Sequence, residues 1–109
     1  MSKPHFNLTA IIYDKKGNVL SIGQNSYIKT HPLQAKLSKK FGNPHKEFLH
    51  AEISAITKCP NLNKAYKIMI FRYHADGTVA NAKPCEVCNY AIRNLTPIKK
   101  IEYTMEEEI

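Results

Sequence analysis

Long apolar runs are missing from this sequence of 109 residues. No stretch approaches the roughly 20 apolar residues that a membrane-spanning helix needs, and residues 1–10 lack the apolar centre of a signal peptide. Repeats, linkers and low-complexity segments are missing too, so one compact domain over residues 1–109 is expected. These absences predict a cytoplasmic protein without a membrane partner.

Cysteine is scarce, and its three copies are an odd number. A disulfide framework would leave one thiol unpaired, and disulfides are rare in a reducing compartment. Cys85 and Cys88 stand three positions apart and are better explained by metal or redox chemistry. Cys59 is expected to be a bystander.

Acidic residues are outnumbered, since 16 lysines and arginines face 9 aspartates and glutamates and give a formal net charge of +7. This excess favours encounters with polyanions or with phosphorylated small molecules. Much of it lies within residues 36–46. Because a charge run is usually only a solvated face, the charge alone does not identify a ligand.

Four segments have the period of β-strands. They are residues 7–13, 19–24, 66–72 and 98–103. The first two are joined by a turn that contains Gly17 and Asn18, which predicts an antiparallel hairpin. The last two are separated by a helical segment, and such a crossover favours parallel pairing.

Three segments have the features of α-helices. They are residues 32–41, 50–59 and 85–95. For the first, Thr30 is predicted as the cap, Pro32 suits the first turn and Gly42 marks the end. The order β-β-α-α-β-α-β predicts an α/β protein whose mixed central sheet has helices packed on its faces.

The chemistry begins with Cys85 and Cys88, whose helical spacing places both sulfur atoms on one face, within reach of a zinc ion at about 2.3 Å. The same Cys-x-x-Cys spacing occurs in thioredoxin-like redox sites and in zinc ribbons. A ribbon needs a second cysteine pair, which this sequence lacks. A zinc site would therefore have to recruit histidine.

His50 is the predicted third ligand, and Glu52 follows it by two positions. Residues i and i+2 of a helix do not face each other, so both reach one point only if the helix N-terminus is aimed at it. Pro84 marks the start of the cysteine-bearing helix in the same way. Three protein ligands leave a fourth position for water, whose pKa falls to about 7 on zinc, and Glu52 is placed to exchange protons with it.

The motifs HAE at 50–52 and PCEVC at 84–88 resemble the H-x-E and P-C-x-x-C signature of the cytidine and deoxycytidylate deaminase superfamily. The order of strands and helices is similar to the core of that family. The resemblance implies a three-layer cytidine deaminase-like fold. It also implies a zinc-dependent hydrolase that releases ammonia from the exocyclic amine of a base.

The resemblance also implies roles for individual residues. Zn²⁺ is the implied cofactor, with His50, Cys85 and Cys88 as its metal ligands. Glu52 is the implied catalytic residue that carries protons. The alternative interpretation of the same motifs is a non-catalytic zinc-stabilised module that binds nucleic acid.

Substrate contacts are implied at the ends of these elements. Asn25 stands in a Gly-x-Asn sequence similar to the one with which the family binds the sugar, although it could equally end the strand as a turn residue. The backbone of Ala51 and the carbonyl of Pro84 are implied to contact the base. Tyr27 is a candidate for stacking on a base, and packing against the sheet explains it equally well.

The family usually has a fifth strand and further C-terminal helices, whereas only TMEEEI follows the fourth strand here. A cytosine nucleoside or nucleotide, of the cytidine or dCMP type, is the expected substrate, with Lys29, Arg72 or Lys83 available for a phosphate. The alternative is single-stranded DNA or RNA held in a basic groove. The lysines available for that groove are Lys36, Lys39, Lys40 and Lys46. A homo-oligomer is compatible with the sequence, and the zinc motif itself does not encode the base.

Overall fold

The computed structural model describes residues 7–26, 30–42, 49–74 and 76–105. The elements within these ranges are β1 (Asn7–Tyr13), β2 (Val19–Gln24), α1 (Pro32–Lys40), α2 (Ala51–Lys58), β3 (Lys67–Tyr73), α3 (Glu86–Leu95) and β4 (Lys100–Tyr103). This is the predicted order, with a short 3-10 helix at Leu62–Lys64 added before β3. None of the helices in the described ranges is long and apolar enough to cross a membrane.

The strands form one mixed sheet in the order β2-β1-β3-β4. The strand β1 lies between β2 and β3 and is antiparallel to both. The strands β3 and β4 are parallel, as predicted from the helical crossover that joins them. The α/β class with a mixed sheet, consistent with a deaminase-like fold, is therefore confirmed.

One face of the sheet carries the core. Ala10 and Ile12 of β1 are fully buried, and the partners of Ala10 in the register are Gly23 of β2 and Ile70 of β3. Helices α2 and α3 contribute to the same cluster of buried side chains through Ile53, Ala55, Val87, Ala91 and Ile92. The N-termini of both helices are thus fixed relative to one sheet.

Helix α2 lies unusually close to β2 at Gly23. A Cβ atom at this position would stand 2.5 Å from the carbonyl oxygen of Ala51 and 2.8 Å from the Cα of Ala55. The hydroxyl of Ser21 donates a hydrogen bond to the carbonyl of Ala55 at 2.7 Å. The approach is possible because residue 23 has no side chain, and it sets the position of the start of α2.

The start of α1 differs from the prediction, since His31 and not Thr30 is its cap. Nδ1 of His31 accepts a hydrogen bond from the backbone nitrogen of Leu33 at 3.0 Å. His31 directly precedes Pro32 and has extended backbone angles, which turn its ring toward that N–H group. The predicted end is confirmed, because Gly42 has a φ of 71° just after the helix.

Candidate active site

Three metal-binding side chains meet where α2 and α3 begin. His50 is the N-cap residue of α2 and Cys85 is that of α3. Nδ1 of His50 lies 3.2 Å from Sγ of Cys88 and 3.5 Å from Sγ of Cys85, and the ligand atoms of the three residues all lie within 4.8 Å of one another. A tetrahedral zinc ion separates its nitrogen and sulfur ligands by about 3.5 Å. The donor set and its spacing therefore fit Zn²⁺.

The two thiols divide their protons unequally in this arrangement. The hydrogen bond from Cys88 lowers the pKa of Cys85 to about 4, with further help from His50 and against the opposing effect of burial. The same hydrogen bond and burial raise the pKa of Cys88 well above its ordinary value. Without metal, the negative charge of the pair therefore resides on Cys85.

Glu52 lies in the first turn of α2 beside this cluster, with only 4% of its surface exposed. Burial raises the pKa of its carboxyl group, against the effect of hydrogen bonds that include one with Cys88. A carboxyl group whose pKa is raised takes up a proton more readily than an exposed one, which suits a proton carrier. The site thus combines a metal-binding cluster with a buried proton carrier.

These features can be compared with known proteins. A family model, the cytidine and deoxycytidylate deaminase zinc-binding region, matches residues 1–105. The chain belongs to this family. Searches among curated proteins and among solved structures find no match. The family confirms the resemblance seen in the sequence and makes this chain a zinc-dependent deaminase domain, for which the family implies a cytosine-containing substrate.

Helix α1 supports the candidate site through a hydrogen bond that sequence reasoning missed. Gln34 is fully buried, and its Oε1 accepts a hydrogen bond from the backbone nitrogen of His50 at 3.2 Å. Its Nε2 donates to the hydroxyl of Ser38 at 3.2 Å. The sequence signal that could have revealed this contact is the pair Gln34 and Ser38, two polar residues four positions apart beside the apolar residues of the helix.

A second support holds the loop that leads to Pro84. The hydroxyl of Thr104 donates to the carbonyl of Ala80 at 2.8 Å and accepts from the backbone nitrogen of Arg72 at 3.1 Å. The guanidinium of Arg72 donates to the carbonyl of Asn81 at 3.1 Å. Arg72, a candidate phosphate ligand in the sequence, therefore braces this loop. Thr104 carried no sequence signal, because it acts from the end of β4.

The predicted substrate residues lie near the deaminase cluster where they are described. Oδ1 of Asn25 accepts a hydrogen bond from the backbone nitrogen of Leu8 at 3.0 Å. The next residue, Ser26, donates its backbone N–H to the carbonyl of Leu49 at 2.9 Å, which brings the end of β2 beside the segment that carries His50. Ala51 is fully buried, and Pro84 directly precedes Cys85. Tyr27 lies outside the described residues.

The basic residues of the alternative substrate groove lie in several places. Lys36, Lys39 and Lys40 are exposed on α1. Nζ of Lys40 donates to the hydroxyl of Tyr90 at 2.6 Å, which ties α1 to α3. Lys83 is exposed in the loop before α3, whereas Lys29 and Lys46 fall outside the described ranges.

Proposed function

We propose that this domain hydrolytically deaminates a cytosine nucleoside or nucleotide, of the cytidine or dCMP type, to the uracil product with release of ammonia. The observation that supports this most strongly is the burial of Glu52 against the cluster of His50, Cys85 and Cys88. A purely structural zinc site has no use for a buried carboxyl group that is not a ligand, because burying it costs free energy.

The reaction replaces the bond between C4 of cytosine and its amino group by a bond to oxygen from water. Zinc held by the three ligands would act as a Lewis acid and lower the pKa of a water molecule to about 7. Glu52 carries one proton from water to N3 of the base and then the second, from the hydroxyl now bonded to C4, to the amino group, which leaves as ammonia. Burial raises the pKa of this carboxyl group, which favours its taking up the proton that water gives up.

Substrate orientation falls to residues at the ends of the surrounding elements. The backbone N–H of Leu8 donates a hydrogen bond to Oδ1 of Asn25 and orients its amide group, and Asn25 is the proposed contact to the sugar. The backbone of Ala51 and the carbonyl of Pro84 adjoin His50 and Cys85, where they can contact the edge of the base. These contacts would select the face of the base that meets Glu52.

Single-stranded nucleic acid is the second candidate substrate, favoured by the three exposed lysines on α1. The deciding experiment offers cytidine, dCMP and a cytosine-containing oligonucleotide at low and moderate salt and follows uracil formation. Turnover of a bound oligonucleotide below saturation falls with salt with a logarithmic slope of about 0.7 per phosphate contact. A mononucleotide has one phosphate, so its rate should fall only mildly.

Charge reversal separates the two candidates further. Replacing Lys36 and Lys39 by glutamate, which leaves the contact of Lys40 with Tyr90 in place, should leave turnover of the mononucleotide nearly unchanged, and reversing Lys15 and Lys16 in the β1-β2 turn provides a matched control. Activity on the oligonucleotide alone, lost with salt and with the α1 reversals but not with the control, would replace the mononucleotide by nucleic acid as the substrate.

Catalysis itself is tested by Glu52→Gln. This variant keeps the shape of the side chain and all three zinc ligands, so it should bind zinc and fold while turnover falls by roughly 10²–10⁴. A variant as active as the parent would exclude Glu52 as the proton carrier. A parent protein that binds zinc but releases no ammonia from any of the three cytosine substrates would favour the non-catalytic binding module.

A further inference from the structure

One edge of the sheet ends in an unpaired strand. Within the described part of the chain, β4 is hydrogen-bonded to β3 alone. The backbone nitrogens of Lys100 and Thr104 donate to carbonyls on the β3 side, at 3.2 Å to Tyr66 and 3.0 Å to Ile70. Because backbone groups alternate along a strand, the N–H groups of the intervening odd-numbered residues point to the outer edge. Such an edge is a template for another strand.

A groove of about 430 Å³ runs beside this edge, between α3 and β4. Glu86, Asn89 and Arg93 line one wall, and Ile101 and Tyr103 line the other. The edge strand and the outward side of α3 thus form one continuous surface.

The charged residues of β4 would face opposite charges if two copies of this strand paired in antiparallel orientation. Exposed Lys100 and Glu102 flank Ile101 and point to the same face of the sheet, where Glu102 approaches Lys67 at 3.9 Å. If a second copy pairs antiparallel with Ile101 opposite its counterpart, Lys100 of each copy stands opposite Glu102 of the other. These are positions without mutual backbone hydrogen bonds, at which side chains across an antiparallel pair come closest.

The side of α3 that lines the groove also carries opposite charges at its two ends. Glu86 is at its start and Arg93 two turns later, with Asn89 between them accepting a hydrogen bond from Nε of Arg93 at 3.1 Å. A two-fold axis beside Ile101 would make the two copies of α3 antiparallel to each other on the same face of the joined sheet. Glu86 of each copy then faces the end of the helix that carries Arg93 in the other.

We propose that β4 pairs with β4 of a second copy of this chain across a two-fold axis beside Ile101. The two sheets then join into one sheet of eight strands, with the α3 helices packed over the junction. The occupant is a second copy because both charge patterns are self-complementary, on β4 and on α3 independently. A two-fold interface requires this property, since each copy presents the same surface to the other.

Sedimentation of the wild-type protein over a concentration series tests the association. Lys100→Glu places glutamates opposite each other at two positions, and Glu102→Lys does the same with lysines. Each single variant should therefore raise the dissociation constant of the dimer roughly tenfold or more. Lys39→Glu, a reversal at an exposed position of α1, is the control and should leave the constant unchanged.

Two combinations distinguish this interface from a general loss of structure. The double variant Lys100→Glu with Glu102→Lys should dimerise like the wild type, because each glutamate again faces a lysine. An equimolar mixture of the two single variants should form heterodimers for the same reason. A wild-type protein that sediments as a monomer at about 100 µM would overturn the proposal, as would single variants that dimerise as tightly as the wild type. Monomeric wild type whose oligonucleotide binding is lost in Arg93→Glu, a variant of the groove wall, would assign the groove to nucleic acid instead.

Discussion

Oε1 of Gln34 accepts a hydrogen bond from the backbone nitrogen of His50 at 3.2 Å. The first N–H groups of a helix have no partner within it, and here a buried side chain from α1 serves the start of α2. His50 is also a residue of the zinc-binding cluster. Helix α1 therefore positions the metal site although it contributes no ligand.

Removing that acceptor should weaken both the fold and the metal site. Gln34→Leu keeps a side chain of similar size but cannot accept the N–H of His50, so the free energy of unfolding should fall by about 1–3 kcal/mol. Zinc affinity, measured by competition with a chelator, should fall as well. Ser38→Ala removes the other hydrogen bond of Gln34 and is the matched control. Unchanged zinc affinity in Gln34→Leu would show that this hydrogen bond stabilises the fold but does not position the metal site.

The cluster of His50, Cys85 and Cys88 should hold one zinc ion per chain. Because metal binding is coupled to folding, Cys85→Ser and Cys88→Ser should each lose the metal and lower the melting temperature, as a chelator should in the wild type. Cys59→Ser should change neither quantity. Metal analysis of the purified variants provides the measurement, and full zinc occupancy in Cys85→Ser would contradict that ligand.

The thiolate of Cys85 should be detectable in metal-free protein. Because its folded pKa is lowered to about 4, it stays deprotonated above that pH, and its alkylation by iodoacetamide should vary little between about pH 6 and 8. A thiol with the ordinary pKa of about 8.5 gains nearly tenfold in rate per pH unit there. Cys88→Ala removes the hydrogen bond that lowers the pKa and should restore this dependence. A steep profile for Cys85 in the wild type would exclude the thiolate, and zinc should protect the residue from alkylation.

Gly23→Ala should displace α2. The new methyl group would meet backbone atoms of Ala51 and Ala55, which cannot move aside as a flexible side chain would. We expect a loss of at least about 1–3 kcal/mol of unfolding free energy, together with weaker zinc binding. Ile22→Ala at the adjacent position, where the side chain is 52% exposed, is the control. Equal stability of Gly23→Ala and wild type would show that α2 can shift freely on the sheet.

Much of the fold could be predicted because its signals are local. The hairpin of β1 and β2 depends on alternation and on a turn near Gly17, and the cysteine-bearing helix on a start after Pro84. The metal-binding cluster could be predicted because histidine and cysteine are both zinc ligands, and these residues stand at or near the predicted starts of two helices. Gln34 and Thr104 could not, because their partners lie 16 and 24 positions away along the chain. The cap of α1 was wrong because residue preferences favour Thr30, whereas the backbone before a proline favoured His31.

The three zinc ligands can meet only after the chain has been made as far as Cys88. His50 is separated from Cys85 by 35 positions, and the helices that carry them are joined through a sheet whose inner strand β1 precedes both helices in the chain. The ribosome must release residues beyond Cys88 before all three donors can meet. Complete metal coordination therefore depends on both helices being folded against the same sheet, since neither helix carries all three donors.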